Sequence, residues 1–257
     1  MLRKILKFPI LKRLVPSILI RIFKLLKRNR GFFKINETLM YLDFLDPIDR
    51  QIILHQQFEK LELNFLIKQI KEYKLNYFID VGANCGYYSI QVASEIKKIT
   101  VLSFEPNPEA YFKFSKTLKK NFTLSKKIFL KNYGLSDKSS KLKMQSLVKF
   151  GYAQTGGSSV VNNNQLDEHF IFFAKFENGD DKIKIKKEKI AIKIDVEGHE
   201  INVLNGIKSI LQNNKCILQI EVFNKNYKDV TTLLFKLGYN QFFEAKQRSN
   251  YFFKNFN

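Results

Sequence analysis

Apolar and basic positions alternate along residues 1–30, where Leu2, Ile5, Leu6, Leu14, Ile18, Ile22, Leu25 and Leu26 can share helix faces and Lys4, Lys7, Arg21, Lys24 and Lys27 fall elsewhere. Pro9 and Pro16 each lack a backbone donor and clash with the preceding turn, so this segment is expected as short helices. The longest uncharged run, residues 14–20, is far short of the ~20 apolar residues that span a bilayer. A continuous apolar segment ahead of a small-residue cleavage site is also missing, which argues against a secretory signal. The expectation is a cytoplasmic chain whose residues 1–58 form a basic amphipathic helical extension. That extension either packs its apolar stripe on the rest of the molecule or lies peripherally on an anionic membrane.

The period changes beyond it. Residues 59–74 follow a helical repeat through Leu63, Leu66, Ile70 and Tyr73, and Tyr77–Val81 is a short β-prone run of the kind buried in parallel sheets. Helix and strand then alternate: a turn at 82–86, a helix to 98, a strand at 99–104, a helix at 108–122 and a strand at 127–133. Such alternation predicts βαβ units, hence a Rossmann-like α/β domain over 59–257 with a mostly parallel sheet and helices on both faces. Residues 141–188 are less regular, with Gly156-Gly157-Ser158-Ser159 and Asn162-Asn163-Asn164 reading as loops, and are expected as an insertion over the active-site face. Regular elements return as a strand at 190–194, a helix at 200–211, a strand at 216–222 and a helix at 227–237. Two antiparallel strands at 239–244 and 251–256 close the domain.

Composition changes this picture little. The 257 residues carry a formal charge of +20, which favours acidic partners without saying which. The lysines are spread along the chain with no RNA-binding signature or zinc spacing, so nucleic acid is not expected as a partner. Cys85 and Cys216 are too few and too far apart for a disulfide framework, and His55, His169 and His199 are scattered, so no metal site is predicted.

The chemistry sits in four strand-to-helix turns, where open parallel sheets bind their ligands. The first, Asp80-Val81-Gly82-Ala83-Asn84-Cys85-Gly86, has glycines that permit a tight turn. Its Gly-x-x-x-Gly spacing differs from the pyrophosphate fingerprint, and Asn84 crowds a diphosphate while leaving room for an amino-acid carboxylate. The second places Glu105 about 20 residues on, where a carboxylate accepts hydrogen bonds from a ribose diol and repels a 2′-phosphate. Its alternative reading is an exposed strand-end charge. The third, Gly134-Leu135-Ser136-Asp137, either meets an adenine edge or is an ordinary Ser-Asp turn. The fourth sets Asp195, Glu197 and His199 at a strand end opening a helix, either as helix caps or aimed at the cofactor cleft.

Together the segments FIDVGANCGYYSI, SFEPNPEA, GLSD and IKIDVEGHEINVLNG resemble the FkbM family of methyltransferases over about residues 76–244. The resemblance implies the class I methyltransferase sheet with an antiparallel C-terminal hairpin and the cofactor S-adenosyl-L-methionine. It implies that Asp80, Gly82, Asn84 and Gly86 bind the methionine part, Glu105 the ribose and Asp137 the adenine, with Asp195, Glu197 and His199 around the transferred methyl. The expected activity is O-methylation of a hydroxyl on a glycan, a lipid-linked sugar or a small natural product. Asp195 and then His199 are the expected bases, and Glu197 either assists or joins Asp195 on a divalent cation, which nothing in the spacing indicates. An RNA methyltransferase and a catalytically silent nucleoside-binding module are the alternatives.

Overall fold

The computed structural model describes residues 9–26, 28–149, 152–161, 169–245 and 249–257. Leu2, Lys4, Ile5, Leu6, Lys7, Lys27 and the Asn162-Asn163-Asn164 loop lie outside the described residues. Helix α1 (Pro9–Leu26) leads to a hairpin of β1 (Arg30–Ile35) and β2 (Thr38–Asp43), then to helix α2 (Pro47–His55). The alternating unit follows as α3 (Lys60–Tyr73), β3 (Tyr77–Val81), α4 (Tyr87–Glu95), β4 (Thr100–Phe104), α5 (Pro108–Lys120), α6 (Phe122–Ser125) and β5 (Ile128–Lys131). Next come β6 (Gly134–Ser136), β7 (Ser140–Lys149), β8 (Tyr152–Ala153), β9 (Ser159–Val160), β10 (His169–Asn178) and α7 (Gly179–Lys182). The chain ends with β11 (Lys189–Ile194), α8 (Glu200–Gly206), α9 (Lys208–Asn213), β12 (Lys215–Glu221), α10 (Asn224–Lys236), β13 (Asn240–Ala245) and β14 (Asn250–Lys254).

The main sheet has seven strands in the order β13-β14-β12-β11-β3-β4-β5. Strands β5, β4, β3, β11 and β12 run parallel, and β14 turns the sheet antiparallel beside β12. This is the expected class I arrangement, including the C-terminal hairpin. One core layer joins Phe78, Ala191, Ile217 and Phe252 to α3 and α4, and the other joins Ile79, Val81, Ile192 and Ile220 to α8, α9 and α10. Each fully buried aliphatic or aromatic side chain of this kind contributes roughly 1.5–3 kcal/mol. Local signals agree with the packing: Asp46 and Asn107 accept the first free amides of α2 and α5, and Pro47 and Pro108 follow them at the first helical positions.

Three expectations need correction. Helix α1 runs through Pro16: the lost hydrogen bond is offset by packing of Val15, Leu19, Ile20 and Phe23 against Phe44 and Leu54. Residues 30–43 form a hairpin rather than more helix, and its Ile35, Met40 and Leu42 are buried in the core of the main sheet. Alternation of buried and exposed positions in β2 records this, but basic and aromatic residues on the exposed side hide it. Strands are also found where residues 141–188 were expected to be less regular: β7 and β10 pair antiparallel from Ser140 with Phe176 to Leu147 with His169, in a second sheet ordered β6-β10-β7-β8 with β9 on β7. Exposed Phe170 and Phe173 break the expected polar alternation of that hairpin.

Candidate active site

Strand register brings the site together. Val81 lies opposite Phe104 on one side and Ile194 on the other, and Ile194 lies opposite Ile220. The residues that follow this row, Gly82, Glu105, Asp195 and Glu221, therefore leave the sheet side by side. Backbone bonds keep the row closed past the strands: Gly82 and Ala83 donate to the Phe104 carbonyl, and Asp195 donates to that of Val81, at 3.0–3.1 Å. Gly82 has φ +84°, and a Cβ there would sit 1.9 Å from the Asp195 carbonyl oxygen, so only glycine lets the two turns touch.

Above this row lies a cleft lined by residues of all four turns. Of the predicted site residues, Gly82, Asn84, Glu105, Asp195, Glu197 and His199 line it. Three others do not. Asp80 is fully buried beneath the row, where its Oδ2 accepts from Ser89 Oγ at 2.6 Å while Oδ1 has no partner. Gly86 faces the Phe114 ring. Asp137 is exposed at the rim, accepting from Ser136 Oγ at 3.0 Å, while Leu135 reaches the cleft wall.

Glu105 is the joint between the first two turns. Its Oε2 accepts from the Asn84 amide at 2.6 Å and its Oε1 from the Asn107 amide at 2.7 Å. Burial pushes this carboxyl up to about 7 against those two bonds. A carboxylate has about four lone-pair positions, so both oxygens keep capacity for a vicinal diol. The donor set fits a nucleoside carrying an amino acid, as S-adenosylmethionine does. Gly82 and Asn84 would border its methionine part and Glu105 its ribose, with Pro106, Leu135 and Phe176 as apolar walls.

The fourth turn carries the acids. Asp195 Oδ2 accepts from Lys193 Nζ at 2.8 Å, and Lys193 lies over the Tyr88 ring at 4.8 Å. Lys193 is buried, and neighbouring Asp195 and Asp80 outweigh desolvation and raise its pKa, so it stays charged. Glu197 holds φ +50° ahead of Gly198 at φ +103°, a strained turn of the kind found where a side chain must be aimed. Burial and then Asp195 push the Glu197 carboxyl up to about 7. Glu221, at the end of β12, is pushed to about 8, first by burial and then by Asp195. His199 Nε2 lies 2.9 Å from Ser136 Oγ, its ring meets Phe176 edge to face, and burial lowers its pKa. Among the described residues, no group of three His, Cys, Asp or Glu is set to hold a metal ion.

The Gly156-Gly157-Ser158-Ser159 segment, expected as a loop over the active-site face, does border the cleft, but sequence reasoning missed the buried charge cluster that holds it. Thr155, Gly156, Gly157 and Ser158 line its roof together with Ile48 from α2. Thr155 Oγ1 lies 2.7 Å from Asp46 Oδ2, 2.9 Å from Asn84 Oδ1 and 3.0 Å from Lys113 Nζ. Lys113 Nζ also donates to Asp49 Oδ2 at 2.6 Å and lies 3.5 Å from Asp46. Lys113 is 1 % exposed; the two aspartates more than offset desolvation and hold it charged, with Asp46 below its usual range and Asp49 pushed by burial to about 6. A lysine on the buried face of α5, beside Ala110, Phe114 and Leu118, was the available signal.

Sheet order and the glycine turn are those of the class I methyltransferase fold. Residues 80–240 match the model of the methyltransferase FkbM domain, and the chain belongs to that family. It is 30 % identical over 159 residues to the hexuronic acid methyltransferase AglP of Haloferax volcanii, covering 60 % of this chain and 59 % of that protein. Its fold is similar to that of the methyltransferase FkbM from Methylobacillus flagellatus, with a TM-score of 0.50 and 16 % identity over 70 % of this chain and 43 % of that one. The chain thus spans under two thirds of each.

Proposed function

We propose that the protein transfers a methyl group to a hydroxyl of a glycan, with an acidic sugar as the preferred acceptor. The observation that carries this is the pair of acids at the cleft: Asp195 is tied to Lys193, while Glu197 is aimed by a left-handed turn and holds its proton to about pH 7. A sugar hydroxyl is a poor nucleophile and needs a base within reach as the new bond forms, and a base titrating near neutral pH suits that task. The resemblance to a hexuronic acid methyltransferase and the charge of +20 support the acidic acceptor.

S-adenosylmethionine, when bound, supplies an electrophilic methyl on a sulfonium. The chain's own work is placement and proton handling. Gly82, Asn84 and Glu105 hold the cofactor, the Thr155–Ser158 loop and Ile48 shield the cleft from water, and Asp195, fixed by Lys193, orients the hydroxyl. Glu197 takes the hydroxyl proton, and His199, neutral and anchored on Ser136, borders the acceptor. We place the adenine against Leu135 with Asp137 at its rim.

The test is mass spectrometry of cellular glycans with and without the protein. The expected result is an alkali-stable methyl ether on an acidic sugar, lost with the protein and not restored by Glu197→Gln. An unchanged glycan profile, or an alkali-labile methyl ester, would overturn the reading, since a carboxylate acceptor needs no base.

A further inference from the structure

Helix α1 has more apolar surface than the fold covers. Val15, Leu19, Ile20 and Phe23 pack against Phe44 and Leu54, and the Phe23 ring stacks on that of Phe44 at 4.5 Å. Leu14, Ile18, Ile22, Leu25 and Leu26 stay exposed, Leu25 at 84 %. At ~100° per residue the first four of these fall within about 80° of arc, a continuous stripe down one side of the helix. Ser17, Arg21 and Lys24 border it on the side away from the packed face, and Arg21 and Arg28 are exposed.

Charge decides what covers the stripe. Eleven Lys and Arg precede the first acidic residue, Glu37. A second copy of this helix would bring like charges together, whereas an anionic bilayer offers apolar depth for the stripe and headgroups for the basic border. Each basic residue near such a surface adds to the attraction. No described helix is long and apolar enough to cross a membrane, so the contact is in the plane of the surface. We propose that α1 is an interfacial membrane anchor: its inner face is bolted to Phe44 and Leu54, and its outer face inserts into the headgroup boundary of anionic lipid.

The experiment is co-sedimentation of the full chain with phosphatidylcholine vesicles, with and without phosphatidylglycerol. Binding is expected only when phosphatidylglycerol is present, and it should weaken as salt is raised. The variant Ile18→Ser/Ile22→Ser/Leu25→Ser alters exposed side chains alone and leaves the packed face intact. It should keep the parental thermal midpoint and bind at least about tenfold more weakly. Three results would overturn the proposal: no sedimentation with anionic vesicles, equal sedimentation of parent and triple variant, or a parental dimer that the triple variant dissolves in light scattering.

Discussion

Lys113 and Lys193 are both buried lysines on the same domain, each held charged by aspartates, yet they serve different ends. Lys113 ties Asp46 and Asp49, which precede the family match, to Thr155 in the loop over the cleft. Neither it nor those two acids reaches the cleft wall. Lys193 sits on a strand at the row where the sheet ends, and the acids near it, Asp195 and Glu197, do line the cleft. Buried charge by itself therefore does not mark a reacting group. The distinguishing feature is whether the carboxylate keeps a face toward the cavity once its lysine is paired.

The two lysine sites differ most at Glu197. Glu197→Gln should cut turnover by about 10²–10⁴-fold while S-adenosylhomocysteine binding persists. In the parent, kcat/KM should rise with pH through about 7, because the base must be ionised to accept a proton. A Gln variant of parental rate, or a parental profile flat across that range, would move the role elsewhere. Lys113→Met addresses the other cluster. It strands two buried carboxylates and should cost about 3–5 kcal/mol of stability in urea titration. Its turnover below the transition should suffer only through loosening of the Thr155 loop. A variant of normal stability with abolished chemistry would invert the assignment of the two lysines.

The smallest effect sharpens the electrostatic side. Folded Glu197 binds its proton more tightly than the unfolded chain, where its pKa is near 4.5. Its contribution to stability is thus full at low pH and lost as pH rises from about 4.5 through about 7. Glu197→Gln has no such loss, so its stability relative to the parent should climb by roughly 2–3 kcal/mol between those values. A constant difference would mean that Glu197 feels no desolvation.

How much of this was legible in the chain follows from range of interaction. Tyr77–Val81, Gly82 and Glu105 could be read because a buried parallel strand and its turn are local patterns with few solutions. The β1–β2 hairpin and the β7–β10 pair were not, since both owe their stability to distant partners and carry exposed aromatics such as Phe32 and Phe173 that blur the alternation. Asp80 and Gly86 lie in the right motif but act from beneath the cleft: the motif names a turn, and only packing against Ser89 and Phe114 reveals which of its atoms face inward. The Thr155 contact with Asn84 joins residues 71 positions apart, and no local pattern announces it.

Titration calorimetry of the full chain with S-adenosylhomocysteine, parent against Glu105→Ala, tests the convergence of the strand-end turns most directly. The parent is expected to bind saturably, and the variant about tenfold or more weakly at unchanged fold by circular dichroism. Binding of equal strength in both proteins, or none to the folded parent, would contradict that convergence.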